Sequence, residues 1–89
     1  MKEMIVTQGA PAAIGPYSQG ICAGDLVITS GQLPIDPTTG SMAQGDVAAQ
    51  TRQSLANVQA VLAQAGLTMD NVIKTTVFLK NMDDFSAMN

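Results

Sequence analysis

The residues that break regular structure are confined to the first half of this 89-residue chain. All four prolines and seven of the eight glycines lie between positions 9 and 45, and the remaining glycine is Gly66. Prolines and glycines at this density are typical of tight turns between short strands. The sequence therefore predicts a single domain over residues 1–89 that begins with short strands and continues with longer, periodic elements.

A Gly24-Asp25 pair between two apolar runs predicts a β-hairpin over 17–30. A two-residue Gly-Asp connection suits the turns that match the twist of paired strands. In this register Ile21 faces Ile28, and Gln19 faces Ser30. Because side chains alternate along a strand, Tyr17 is expected on the same face as Ser30. Two hydroxyls and one amide should then meet at the end of an apolar surface.

The second half opens with a segment whose apolar periodicity predicts a helix from Asp46 to Ala65. Asp46 is a favourable N-cap residue, and Gly66 is suited to the left-handed conformation that ends a helix. One stripe at spacings of three and four is expected to cover a sheet. Its members are Val47, Thr51, Leu55, Val58, Leu62 and Ala65.

Three further elements are predicted more briefly. A strand is expected over 72–80, with Ile73, Val77 and Leu79 on its buried face, and a short strand is expected over 3–6. A last helix is expected to start near residue 81 with Asp83 as its cap. Because the chain ends at Asn89, less than two turns later, this helix is expected to be cut short.

The composition limits the partners of this chain. Four basic residues against seven acidic ones give a net charge of −3, and nucleic-acid affinity rests on phosphate neutralisation, so DNA and RNA are not expected as main partners. Histidine is absent and Cys22 is the only cysteine, so neither a metal site nor an internal disulfide is expected. No apolar run approaches the ~20 residues of a membrane span, and the cytosol is the expected location.

Two candidate reactive side chains are expected to be ordinary structural residues. Cys22 lies in the middle of a predicted strand, on the face opposite Tyr17, where a cysteine is usually a small apolar residue. Arg52 is the only arginine, and its place in the middle of a helix among Thr and Gln favours a solvent-exposed side chain.

Two short stretches are candidates for a binding site. Gly15-Pro16 fixes a turn that sets the direction of Tyr17, and Ser30-Gly31 ends the facing strand, where a glycine lets a ligand approach the backbone. Each stretch also has a plain structural interpretation. Tyr17 is then a turn residue that covers the edge of the core, and Ser30-Gly31 is an ordinary exit from a strand.

These stretches, with three others in the same order, resemble the RidA (YjgF/Rid) family of reactive enamine and imine deaminases. The matching blocks are residues 10–19, 28–34, 53–57, 74–79 and 82–89. The resemblance implies a chorismate-mutase-like α+β fold, with a mixed sheet and helices packed on one of its faces. It also implies a homotrimer with clefts between neighbouring subunits. The last two strands of the family are missing from this sequence, so the domain is expected to be incomplete at its C-terminal end.

The resemblance also implies an activity. Members hydrolyse 2-imino acids, such as 2-iminobutanoate and 2-iminopropanoate, to 2-keto acids and ammonia without a cofactor. The catalytic tyrosine of the family falls on Tyr17, and its substrate-binding residues fall on Ser30, Gly31 and Asn89. The family's carboxylate-binding arginine and its glutamate have no counterpart in this chain, since Arg52 stands in a different element.

Two other functions remain open at this point. Without that arginine and glutamate, the chain would be a non-catalytic trimeric module that binds small 2-keto acids or a protein partner. A ribonuclease, or an inhibitor of translation, is also conceivable, because some family members carry that name. The net charge of −3, the lack of histidine and the presence of only three aromatic residues all argue against phosphodiester cleavage.

Overall fold

A computed structural model describes residues 2–89 of the chain. As predicted, short strands and turns make up the first half of the chain, and a long helix follows them. The strands are β1 (Lys2–Ile5), β2 (Gly20–Ala23), β3 (Leu26–Thr29), β4 (Ile35–Asp36) and β5 (Ser41–Met42). The helices are α1 (Val47–Gln64) and α2 (Phe85–Met88), with single 3₁₀ turns at Met69–Asn71 and Met82–Asp84.

The strands form two antiparallel sheets. One has the order β1-β2-β3, and the other is the small β4-β5 hairpin. The predicted register is confirmed, since Ile21 pairs with Ile28 and the Ser30 N–H donates to the Gln19 carbonyl over 2.9 Å. The predicted start of the second strand is wrong, because β2 begins at Gly20. The Tyr17 N–H instead donates to the Gly15 carbonyl over 2.9 Å, in a turn that precedes the strand.

Both ends of α1 agree with the predicted helix. The Asp46 carboxylate accepts a bond from the Ala49 N–H over 3.0 Å, and Gly66 follows the C-cap with φ +79°. The predicted buried stripe is only partly right, because Leu55 is 43% exposed whereas Asn57 and Val61 are fully buried. The reason is a pair of hydrogen bonds made by Asn57. Asn57 turns toward β4 and donates to two carbonyls of the chain that leads into it, which rotates the buried face of the helix.

The core lies between α1 and one face of the three-stranded sheet. Ile5, Ala10 and Val61 form its centre, and Cys22 packs beside them as the expected half-buried apolar residue. Gly20 allows this close packing. A Cβ at Gly20 would stand 2.9 Å from Cγ1 of Val61 and 3.2 Å from Cδ1 of Ile5.

The predicted strand over 72–80 does not form in this chain. Residues 72–79 have no regular secondary structure, and Ile73 and Phe78 are 86% and 92% exposed. A strand is stabilised by hydrogen bonds to a neighbouring strand, and none of the strands within residues 2–89 pairs with this segment. The alternation of apolar and polar residues is present in the sequence of this segment, but a strand forms only when a neighbouring strand pairs with it.

The last turns of the chain also differ in one detail. Asn81, and not Asp83, is the cap, since its side chain accepts the Asp83 N–H over 2.9 Å. The helix α2 then spans only Phe85–Met88, as short as expected. The architecture is therefore α+β, with helices against a sheet. In the part of the chain from Lys2 onward, none of the helices is both long and apolar enough to cross a membrane.

Candidate active site

A cavity of about 600 Å³ opens beside the turn that carries Tyr17. We call it the Tyr17 cavity. Its volume lies within the range of small-molecule sites, roughly 300–1,000 Å³. Its walls come from the end of β1, the loop that follows it, the turn before β2 and the residue after β4. The lining residues are Met4, Val6, Thr7, Gln8, Ala10, Ala12, Ala13, Tyr17, Ser18, Gln19 and Pro37.

Tyr17 lines this cavity. Gly15, with φ +118°, and Pro16 form the bend that turns the chain toward the sheet, as expected. The Tyr17 side chain is 52% exposed, and its oxygen accepts the Ile14 N–H over 3.4 Å. Its own O–H donates to no group in residues 2–89, so it is available to a ligand.

Gln19 holds the loop that forms the opposite wall of the Tyr17 cavity. Its side chain is 3% exposed, and its Oε1 accepts the Thr7 N–H over 2.7 Å. Its Nε2 donates to the carbonyls of Thr7, Ala10 and Pro11 over 3.0, 3.2 and 2.8 Å. The sequence predicted this amide together with the Tyr17 and Ser30 hydroxyls at the end of an apolar surface. Local pattern gives no signal for the burial, because the carbonyls that bind the amide belong to a loop without regular structure.

The other predicted site residues lie outside the lining of this cavity. The Ser30 hydroxyl donates to the Ser18 carbonyl, which joins β3 to the residue after Tyr17. Gly31 is exposed, and a Cβ placed on it would meet nothing within 4 Å. Asn89 is exposed at the chain end, and its N–H donates to the Phe85 carbonyl over 2.8 Å. A single chain thus brings Tyr17, Ser18 and Gln19 to the cavity, and Ser30 reaches it only through Ser18.

None of the described residues that line the Tyr17 cavity carries a charged side chain. Arg52 is exposed on α1, as expected. Among the described residues, no group of three acidic or cysteine side chains is placed to hold a metal ion. The pKa of Asp36, which precedes the lining residue Pro37, is lowered. The Thr38 hydroxyl and then the Thr38 N–H donate to the Asp36 carboxylate, and both bonds lower its pKa below the ordinary value.

A second buried side-chain amide, that of Asn57, binds the chain that runs from β3 into β4. Asn57 is fully buried on α1, and its Nδ2 donates to the Leu33 and Ile35 carbonyls over 3.0 and 2.9 Å. Its Oδ1 accepts from Nε2 of Gln53 over 3.0 Å. An asparagine inside a predicted helix is the one sequence signal for such an anchor, since asparagine has a low helix propensity.

Comparisons with known proteins cover nearly the whole chain. The family described as Endoribonuclease L-PSP matches residues 7–89. A 2-iminobutanoate/2-iminopropanoate deaminase from Salmonella typhimurium is 55% identical over all 89 residues, which are 69% of that protein. The fold is shared with a Rid-family protein of unknown function from Yersinia pestis, with 49% identity and a TM-score of 0.96. That match covers 99% of this chain and 70% of the other.

A further solved structure has a bound ligand. It is TdcF from E. coli with bound serine, 48% identical, with a TM-score of 0.92 over 97% of this chain and 67% of that one. These matches confirm the α+β fold that the resemblance implied. The chain spans about 70% of the length of these relatives. It therefore belongs to the RidA/YjgF family, whose sequences fall under the description Endoribonuclease L-PSP.

Proposed function

We propose that this chain is a subunit of a cytosolic enzyme that hydrolyses reactive 2-imino acids to 2-keto acids and ammonia, without a cofactor. The observation that supports this most is the free Tyr17 hydroxyl on a neutral cavity of suitable size. The names of the relatives point in the same direction, since the protein from Salmonella typhimurium is a 2-iminobutanoate/2-iminopropanoate deaminase.

The reaction needs positioning more than strong acid or base chemistry. The oxygen of a water bonds to the imine carbon, and one proton of that water passes to the nitrogen to give a carbinolamine. The remaining hydroxyl proton then also passes to the nitrogen, and the C–N bond breaks as the C=O bond forms. The products are the keto acid and ammonia. Because imines hydrolyse readily in water, holding the imine and the water in a reactive geometry is a sufficient contribution. In this proposal the Tyr17 hydroxyl and the backbone at Gly31 orient the imino acid.

The remaining contacts require an assembly, and we propose a homotrimer with clefts between its subunits. One sheet face supports this, because large apolar patches on a surface mark interfaces. Met4, Leu26 and Ile28 lie on that face and are 66%, 52% and 62% exposed. A cleft against a neighbouring subunit would let Ser30, Gly31 and Asn89 provide hydrogen bonds to the ligand. The neighbouring subunit would also supply the positively charged group that binds the substrate carboxylate, because the described residues that line the Tyr17 cavity include none.

The direct test is ammonia release from freshly generated 2-iminobutanoate. Replacing Tyr17 by Phe removes one hydroxyl and keeps the ring, and the rate constant should fall about 10²-fold if the hydroxyl takes part in the reaction. Thr76→Val is a matched control, since it removes an exposed hydroxyl that does not line the cavity. An unchanged rate in the Tyr17 variant would defeat the assignment of Tyr17.

The alternative is a binding module without turnover, and the absence of charge in the Tyr17 cavity favours it. Such a module would hold a small 2-keto acid or a protein partner. Tyr17 is the only tyrosine and the chain has no tryptophan, so its emission reports on the cavity without background. A trimer in sedimentation that changes Tyr17 emission with 2-oxobutanoate, but releases no ammonia, would support this alternative.

The family description leaves endoribonuclease activity as a third candidate. Lys2, Arg52, Lys74 and Lys80 are the four basic residues, and all are exposed on separate parts of the chain. They form no cluster along the sequence that would neutralise a phosphate backbone. RNA binding that is tight and falls steeply with salt would restore this candidate.

A further inference from the structure

Gln19 occupies an unusual place in this molecule. Within residues 2–89 it is one of two buried polar residues, and its amide is bound on both sides by backbone of the loop 7–11. Its own carbonyl accepts the Ser30 N–H over 2.9 Å. One residue thus connects the loop after β1, the turn before β2 and the end of β3.

The groups that Gln19 binds belong to the walls of the Tyr17 cavity. Thr7 and Ala10 line the cavity, and their carbonyls accept from the Gln19 amide over 3.0 and 3.2 Å. Tyr17 is two residues before Gln19 and lines the same cavity. Its hydroxyl accepts the N–H of Ile14, which follows this loop along the chain. The distance between the loop and the phenol is therefore set at Gln19.

The competing contacts at Tyr17 are weak by comparison. The Ile14–Tyr17 bond is 3.4 Å long and exposed, whereas the bonds of Gln19 are buried or half-buried and as short as 2.7 Å. Hydrogen bonds weaken with length, and buried groups lose more when left without a partner. If the Gln19 amide is removed, the remaining contacts that hold the loop 7–11 near Tyr17 are few and weak.

From this geometry we infer that Gln19 is a positioning residue, which fixes the Tyr17 hydroxyl relative to the loop wall of the cavity. The inference rests on the proposed function for its catalytic meaning. Its structural content, the placement of Tyr17, is measurable without any turnover.

The experiment compares Gln19→Met and Gln19→Glu with the wild type. Methionine keeps the length of the side chain and removes all four hydrogen bonds of the amide. Acrylamide quenching of the single tyrosine should then rise toward that of a free tyrosine amide. The kcat/KM for 2-iminobutanoate should fall about 10- to 100-fold, mainly through kcat, because misplacement of a positioned group has effects of this size.

Gln19→Glu provides a second readout. An ionised glutamate offers no donor to the Thr7, Ala10 and Pro11 carbonyls, whereas the protonated acid offers one. Quenching and activity should therefore return toward wild-type values as the pH is lowered, in a range where the wild type itself does not change. If Gln19→Met does not fold, this titration decides the question alone.

Asn57→Ala is the matched control. It removes the other buried amide, which also donates to two backbone carbonyls but does not line the cavity. It should lower the Tm and leave the quenching of Tyr17 at the wild-type value. Wild-type quenching in folded Gln19→Met, or in Gln19→Glu at every pH, would overturn the inference. If the wild type releases no ammonia, the proposed function fails, while the quenching comparison still tests the position of Tyr17.

Discussion

Gly20→Ala tests how closely α1 packs on the sheet. The added Cβ would stand 2.9 Å from Cγ1 of Val61, 3.2 Å from Cδ1 of Ile5 and 3.3 Å from the Ile28 carbonyl oxygen. The first distance is shorter than side chains tolerate, so the helix or the strand must move. Overpacking of this kind costs about 1–3 kcal/mol, and the loss of backbone freedom in the unfolded chain returns about 0.4–1 kcal/mol. The free energy of unfolding should therefore fall by about 1–2 kcal/mol.

The assay is equilibrium unfolding in urea followed by far-ultraviolet circular dichroism. Gly31→Ala is the reference, because a Cβ there meets nothing within 4 Å, so only the gain from lost backbone freedom remains and the free energy of unfolding should rise by about 0.4–1 kcal/mol. Val61→Ala removes the closest contact, so its effect and that of Gly20→Ala should not add. The double variant should be more stable than the sum of the two effects by about 1 kcal/mol. Equal stabilities of the two glycine variants, or strict additivity, would refute the close packing.

Two further predictions concern local hydrogen bonds. Asp46→Ala removes the N-cap of α1 and should lower the free energy of unfolding by about 1 kcal/mol. Asp83→Ala is the comparison, because the Asp83 carboxylate accepts no bond in residues 2–89, and it should change the free energy of unfolding little in the same urea assay. Equal losses of free energy in the Asp46 and Asp83 variants would contradict the assignment of Asn81, and not Asp83, as the cap of the last turns. Asp36 has a lowered pKa, so the stability that it contributes is present above its unfolded pKa and is lost as the pH falls through its folded pKa. Thr38→Val removes the strongest cause and should raise the Asp36 pKa in a carboxyl NMR titration; an unchanged pKa would exclude the Thr38 hydroxyl as that cause.

The parts of the fold that depend on neighbouring residues could be predicted from the sequence. Gly24-Asp25 sets the register of the β2–β3 hairpin, and Asp46 and Gly66 set the ends of α1, because turns and caps are local interactions. The buried face of α1 could not be predicted from its apolar stripe. Counting apolar positions favours Leu55, whereas the structure buries Asn57, whose partners lie 22 and 24 residues away.

In the candidate site, too, the features set by neighbouring residues could be predicted from the sequence, and those set by distant residues could not. The Gly15-Pro16 turn predicted the direction of Tyr17, and the structure places Tyr17 at a cavity. The expected meeting of the Tyr17 and Ser30 hydroxyls does not occur in one chain. Tyr17 precedes β2, and the Ser30 hydroxyl is engaged by the Ser18 carbonyl. Gln19 was expected to meet them at the end of an apolar surface, and only the path of the loop over 7–11 explains why its amide is buried instead.

The segment 73–80, which belongs to neither a helix nor a strand, has a consequence for the dynamics of the chain. In the described structure its amides donate no backbone hydrogen bond, whereas those of α1 are bonded along the helix. Its amide hydrogens should therefore exchange with solvent nearly as fast as those of an unfolded peptide, while α1 exchanges only when it opens. Whatever covers this segment will slow that exchange, so the amides of 73–80 record assembly even when the covering partner is not known.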